Sequence, residues 1–106
     1  MKGTHLGEFQ EIVMLSILIL DENAYGVTIQ EEIDLRMKRS ISRGALHTAL
    51  TRLEEKGFIH SDYGEPTAER GGRRKRFYEV TNKGLDTLQE AKELREGMWG
   101  LIPKLT

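Results

Sequence analysis

Between residues 6 and 20 the chain is apolar at nearly every position after its first turn: Leu6, Phe9, then the runs 12–15 and 17–20, interrupted only by Ser16. So short a run could be a strand. Glu8, Gln10 and Glu11 give it a soluble, acid-rich start and favour a helix over residues 6–20. A helix apolar on all sides needs cover on two sides, one from its own domain and one from a partner chain. Asp21, Glu22 and Asn23 break the pattern, with Asn23 a candidate N-cap. Tyr25, Ile29, Ile33 and Met37 then recur every fourth residue, the mark of a second helix that Arg36, Lys38 and Arg39 close with cations. Ser42 is the next N-cap. Leu46, Ala49, Leu50 and Leu53 form the inner stripe of a third helix, and Gly57 is the residue able to end it in the left-handed conformation.

Residues 58–63 alternate loosely, and residues 74–80 form a second strand-like run. Gly64, Pro66, Gly71 and Gly72 between them predict a long hairpin tip. Thr81 caps a last helix whose apolar positions, Leu85, Leu88, Ala91, Leu94, Met98, Leu101 and Leu105, step by three and four like a partner-facing seam. Gly97, Gly100 and Pro103 weaken that helix beyond about Glu96. The order is helix, helix, helix, hairpin, helix: a mainly α fold with one small two-stranded β-hairpin, in winged helix-turn-helix order with a C-terminal dimerisation helix. The division expected is 1–81 for the DNA-binding domain and 82–106 for the dimerisation helix.

Charge changes the picture more than composition does. The net charge is −1, yet residues 1–35 carry seven acids against Lys2, and residues 36–83 carry twelve Lys and Arg against six acids. Local field, rather than the total, draws a polyanion. The densest block is Arg70-Gly71-Gly72-Arg73-Arg74-Lys75-Arg76, five cations in seven positions at the hairpin. A charge run is most often a solvated face; one placed on a ribbon beside a candidate reading helix grips a duplex backbone. With no cysteine, disulfides and thiolate metal sites are excluded, which fits a cytoplasmic location. The most apolar run, residues 12–20, is roughly half the ~18 residues a bilayer span needs, so no membrane partner is expected.

With its stripe turned inward, the third helix presents Gly44, His47, Thr48, Thr51, Arg52 and Glu55 outward, and Arg43 and Gly44 stand at the end where base edges are met. Arg43 and Arg52 can clamp phosphate or a guanine edge, and Thr48 and Thr51 can bond phosphate or meet a thymine methyl. Any exposed amphipathic helix carries such residues. Their agreement with the hairpin cations Arg73, Arg74, Lys75 and Arg76, and with Arg70, Gly71 and Gly72 at a tip able to enter a minor groove, favours nucleic acid.

Residues 6–88 resemble the PadR family of bacterial transcriptional regulators. The resemblance is carried by Leu6-Gly7-Glu8-Phe9, Ala24-Tyr25-Gly26-Val27-Thr28-Ile29, Ser42-Arg43-Gly44-Ala45-Leu46, Leu53-Glu54-Glu55-Lys56-Gly57, Gly64-Glu65-Pro66, Arg70-Gly71-Gly72-Arg73-Arg74-Lys75, Phe77-Tyr78 and Thr81-Asn82-Lys83-Gly84. It implies a homodimeric winged-helix binder of double-stranded DNA, usually a repressor, paired through its first and last helices and short at its C-terminus. Where the family commonly has tyrosine this chain has His47, which bears on base preference. Family members are often released from DNA by small hydrophobic or aromatic effectors. Phe9, Val13, Leu94, Met98, Trp99 and Leu101 are the residues expected at a dimer interface or ligand pocket; Trp99 can be either an interface anchor or a ligand platform.

Two other readings compete. His5, His47 and His60 share no metal-ligand spacing, the acids form no catalytic pair, and Gly71-Gly72 lacks the context of a phosphate loop, so an enzyme is not expected, nor any metal or cofactor. A winged helix used for protein contacts, or as a structural dimer module, would show an apolar outer face on the third helix. That face is polar and basic.

Overall fold

The computed structural model describes residues 6–65 and 74–104. Helix α1 (Glu8–Leu20) starts from Gly7, whose carbonyl accepts from the Glu11 amide, and carries Glu8 and Glu11 in its first turn. A 3-10 turn, Asp21–Asn23, leads to α2 (Gly26–Met37), then α3 (Arg43–Glu55), strands β1 (Ile59–Tyr63) and β2 (Arg76–Val80), and α4 (Asn82–Gly100). This is the winged helix-turn-helix order read from the sequence.

The apolar run of α1, broken only by Ser16, acquires a phase only by packing. Val13, Met14, Ser16 and Ile17 are buried, while Leu15, Leu18 and Ile19 on the opposite side stay exposed. Val13, expected at a partner interface, is 0 % exposed. It belongs to the protomer's own core, because positions four apart (Phe9, Val13, Ile17) share the face turned toward α2 and α3. Phe9 likewise packs against that core.

Helix α2 begins later than Asn23 would place it. Tyr25 is the N-cap residue, and Thr28 Oγ1 accepts from its amide at 3.0 Å while donating to the Asn23 carbonyl at 2.6 Å. Ile29 and Ile33 are buried as their spacing predicts. The turn into α3 is fixed from α2: Asp34 Oδ1 accepts from the Ile41 amide at 2.9 Å, and Gln30 donates to the Ile41 carbonyl at 2.6 Å. Both polar groups of that turn residue are thereby satisfied.

Helix α3 matches its sequence reading at both ends. Ser42 Oγ accepts from the Ala45 amide, and Leu46, Ala49, Leu50 and Leu53 are all buried. Gly57, at φ +80°, lets its amide reach the Glu54 carbonyl and that of Phe58 reach the Leu53 carbonyl, with Leu53 and Phe58 wholly buried alongside. This is the Schellman arrangement that a left-handed glycine permits.

Strands β1 and β2 pair antiparallel from Ile59↔Val80 to Tyr63↔Arg76. The second strand starts two residues later than the apolar pattern suggests, although the Gly64 amide still bonds the Lys75 carbonyl. Thr81 then closes the fold: its hydroxyl accepts from the Gly84 amide and donates to the Gly57 carbonyl. Gly84 lies so close to Phe58 that an added Cβ would stand 2.1 Å from the Phe58 carbonyl oxygen. Gly84, Thr87 and Leu88 are buried, so the first turns of α4 seal the winged-helix core. The helix continues through Gly97 to Gly100, past the weakening expected beyond Glu96.

Candidate nucleic-acid interface

The outer ridge of α3 carries Arg43, Gly44, His47, Thr48, Thr51 and Arg52, every one of them exposed. Two neighbouring elements flank it. On one side the start of α2 faces it across a cleft of about 500 Å³, with Gly26, Val27 and Gln30 opposite Arg43, Gly44 and His47, above Leu46, Leu50 and Tyr78. On the other side, Gly7, Phe9 and Gln10 at the start of α1 run beside Thr48 and Arg52. The ridge is thus framed by two helix beginnings; that of α2 has no acid in its first turn, so its positive backbone end suits a polyanion, whereas that of α1 carries Glu8 and Glu11.

The hairpin cations part into distinct roles. Arg74 and Lys75 are exposed at the root of the wing. Lys75 Nζ sits 4.4 Å from the Tyr25 ring centroid and donates to Tyr25 Oη at 3.3 Å. Tyr25 also meets Phe77 edge-on at 5.5 Å and forms a backbone bridge with it, and the Tyr78 amide bonds the Ala24 carbonyl. The wing is pinned by these contacts to the beginning of α2. Arg76 is exposed too, but it is engaged within the fold. Its Nε donates to Ser61 Oγ at 2.8 Å, its Nη2 to Glu54 Oε1 at 3.2 Å, and its guanidinium lies 5.7 Å from the ring centroids of Tyr63 and Tyr78. Burial raises the Tyr78 pKa, with Arg76 opposing that shift. Arg70, Gly71, Gly72 and Arg73 lie outside the described residues.

A second surface joins α1 to α4. Leu15 and Leu18 face Leu85, Leu88 and Trp99 across a largely apolar groove of about 370 Å³. Trp99 is 63 % exposed, and Leu94, Met98 and Leu101 are likewise open. Arg95 spans the two helices as an ion pair with Glu11, whose carboxylate, hydrogen-bonded to the guanidinium, raises the Arg95 pKa. Of the residues expected at such a surface, Trp99 lines this groove, whereas Leu94 lies across α4 in a separate cleft with Leu6 and Ala91. The sequence reading missed Leu15 and Leu18, though their three-residue spacing on the unburied side of α1 would have revealed them. It also passed over Tyr25 and Glu54, whose partners are distant in sequence.

The model of the transcriptional regulator PadR-like family matches residues 14–90. The chain belongs to that family. It is a PadR-family, DNA-binding transcriptional regulator and not an enzyme. Among its relatives is an uncharacterised protein of Lysinibacillus sphaericus, 37 % identical over 75 residues, a stretch that covers 69 % of this chain and 66 % of that protein, just under two thirds of its length. A PadR family transcription regulator from Clostridium difficile R20291 has 27 % identity and a TM-score of 0.66, over 89 % of this chain and 94 % of its own. A transcriptional regulator from Clostridium thermocellum also shows 27 % identity, with a TM-score of 0.68 over 96 % and 99 % of the two chains. No helix among the described residues of this PadR-family chain is long and apolar enough to cross a membrane.

Proposed function

We propose that this PadR-family regulator acts as a homodimeric repressor, joined through α1 and α4, that presents two α3 helices to half-sites about one turn of DNA apart. The observation that carries the reading is the placement of Arg43 and His47 across one cleft from the start of α2, with Lys75 of the wing fastened to that same start through Tyr25. Reading helix, backbone-facing helix start and cationic wing therefore line one side of the molecule. Arg43, His47, Thr48 and Arg52 meet base edges and adjacent phosphates. Gly44 allows close approach, Thr51 bonds the backbone, and Arg74 and Lys75 follow the flanking strand.

The exposed apolar residues of the two helices, Leu15, Leu18 and Trp99 along one groove and Leu94, Met98 and Leu101 on the other side of α4, support pairing with a second copy that covers α4 on both sides, since unpartnered apolar surface on a small domain marks contact sites. Repression follows from occupancy: a dimer lying across a promoter excludes other proteins from it. The groove beside Trp99 offers a place for a small hydrophobic or aromatic effector that shifts the two subunits. The alternative reading, a winged helix serving protein contacts, is disfavoured by the polar, cationic ridge of α3.

Selection of bound sequences from random duplex DNA at two salt concentrations tests the reading. Enrichment of two-fold symmetric sites, with affinity falling steeply as salt rises, is the expected result. Absence of binding to any duplex in dilute buffer would overturn it.

A further inference from the structure

We infer that Tyr25 is itself a DNA-binding residue, donating its phenolic proton to the backbone phosphate that Lys75 engages. The inference rests on the duplex-binding reading above and adds a hydroxyl contact to it at the root of the wing.

The geometry of the pair carries the argument. Lys75 Nζ donates to Tyr25 Oη at 3.3 Å and lies over the same ring, 4.4 Å from its centroid. An ammonium has three protons, and this contact uses one, leaving two for an anion. A phenol has one proton and accepts here through a lone pair, so its own O–H stays available. The adjacent cation polarises that O–H and makes it a stronger donor toward a negative acceptor. Among the described residues, no acceptor takes that proton. Two donors held together, one charged and one neutral, match two oxygens of a single phosphate.

The pair is also held in place before any duplex arrives. Tyr25 is fixed through its amide by Thr28 Oγ1, through its ring edge by Phe77, and through its backbone by the bridge to β2. The Lys75 carbonyl is held by the Gly64 amide at 2.8 Å. Gly64 is required there, because an added Cβ would come within 2.7 Å of the Phe77 ring. A long lysine that would otherwise lose rotamer freedom on binding has part of that loss met in folding. The pair also stands on the correct side of the molecule, next to Gly26 and Val27, which face Arg43 and His47 across the cleft.

Tyr25→Phe separates a contact from a purely structural role, since it keeps the ring against Phe77 and removes only the hydroxyl. Binding of the full chain to its selected duplex and to a random duplex is measured across a salt series, together with thermal melting. Tyr25→Phe should weaken both affinities about tenfold, with unchanged melting and an unchanged salt slope, because no charge is lost. Lys75→Ala should lower the slope by about 1.8, the value of two neutralised phosphates, one for each subunit of the dimer. The double variant should lose much less than the product of the two single losses. A duplex carrying an uncharged methylphosphonate at the contacted position should bind wild type and Tyr25→Phe about equally. Tyr25→Phe binding like wild type to every duplex would overturn the inference and leave the DNA-binding reading standing. So would independent, multiplying losses in the double variant. If wild type bound no duplex, both would fall.

Discussion

Arg76 of β2 donates to Glu54 in the last turn of α3 at 3.2 Å, and Ser61 of β1 bonds both of them. The wing and α3 are therefore joined by a charged strut at the end of α3 opposite Arg43. The Glu54 carboxylate offsets the Arg76 charge and two of its five N–H groups hold the strut, so Arg76 is a weaker phosphate site than its neighbours Arg74 and Lys75, with which sequence alone groups it.

This arrangement predicts a division among adjacent wing cations. Arg74→Ala should flatten the dependence of duplex affinity on salt by about 1.8 in slope, one phosphate contact being lost from each subunit of the proposed dimer. Arg76→Ala should leave the slope near the wild-type value and lower stability to urea by about 1 kcal/mol, the scale of a partly exposed ion pair within a network. Equal changes in slope for the two variants would show that Arg76 leaves Glu54 for the backbone when DNA binds.

Gly84 supplies a packing test. Gly84→Ala places a methyl 2.1 Å from the Phe58 carbonyl oxygen and 3.0 Å from Met14 Cε, so α4 must shift away from the hairpin. A loss of about 3 kcal/mol is expected in chemical denaturation. Gly97→Ala is the control, because nothing in the protomer lies within 4 Å of the added carbon. It should stabilise α4 by about 0.5–1 kcal/mol.

Tyr78 predicts behaviour at alkaline pH. Burial raises its folded-state pKa above the ordinary 10.0, so the folded protein holds that proton more firmly than the unfolded chain does. The resulting stability is complete below pH 10 and is lost as pH climbs through the raised folded value. Urea denaturation between pH 9 and 11 should therefore fall more steeply for wild type than for Tyr78→Phe, in which this ionisation is absent.

The surface shared by α1 and α4 predicts assembly. Leu18→Glu should convert a dimer, by sedimentation, into a monomer with native circular dichroism. Emission reports on Trp99 alone, since it is the single tryptophan. It should shift to the red on dissociation, as a ring covered by a partner returns to the 63 % exposure of the lone protomer. A wild-type protein that sediments as a monomer at all concentrations would refute this assembly.

The parts of the fold legible in the sequence are those governed by local chemistry. Helix α3 could be bounded at both ends because Ser42 and Gly57 each serve a backbone need created within a few residues, and its inner stripe follows helical periodicity. The phase of α1 could not be read, since a run apolar on every side favours no face until α2 and α3 dock against it; Val13 was misplaced for that reason. Asn23 looked like a cap, but residues 24 and 25 are drawn into contact with β2, more than fifty positions later, and Thr28 takes over the capping. At the candidate site, the exposed ridge of α3 was visible from the same periodicity. The strut at Arg76 and the clamp at Tyr25 depend on partners 22 and 50 residues away, which no local pattern encodes. The glycines of α4 suggested an early end, yet about 1 kcal/mol at each of Gly97 and Gly100 does not break a helix anchored firmly at Thr81.

Helix α4 is 19 residues long, about 28 Å at the rise of an α-helix, and among the described residues its last hydrogen-bonded tie to its own protomer is Arg95. In the proposed dimer the stretch beyond would work as an outrigger: whatever grips it would set the distance between the two α3 helices rather than the shape of either subunit. Sliding the grip by a single helical turn would carry the heads about 5 Å out of step with the double helix. On the proposed dimeric reading, operator spacing would be tuned at the far end of the molecule, by residues distant from α3.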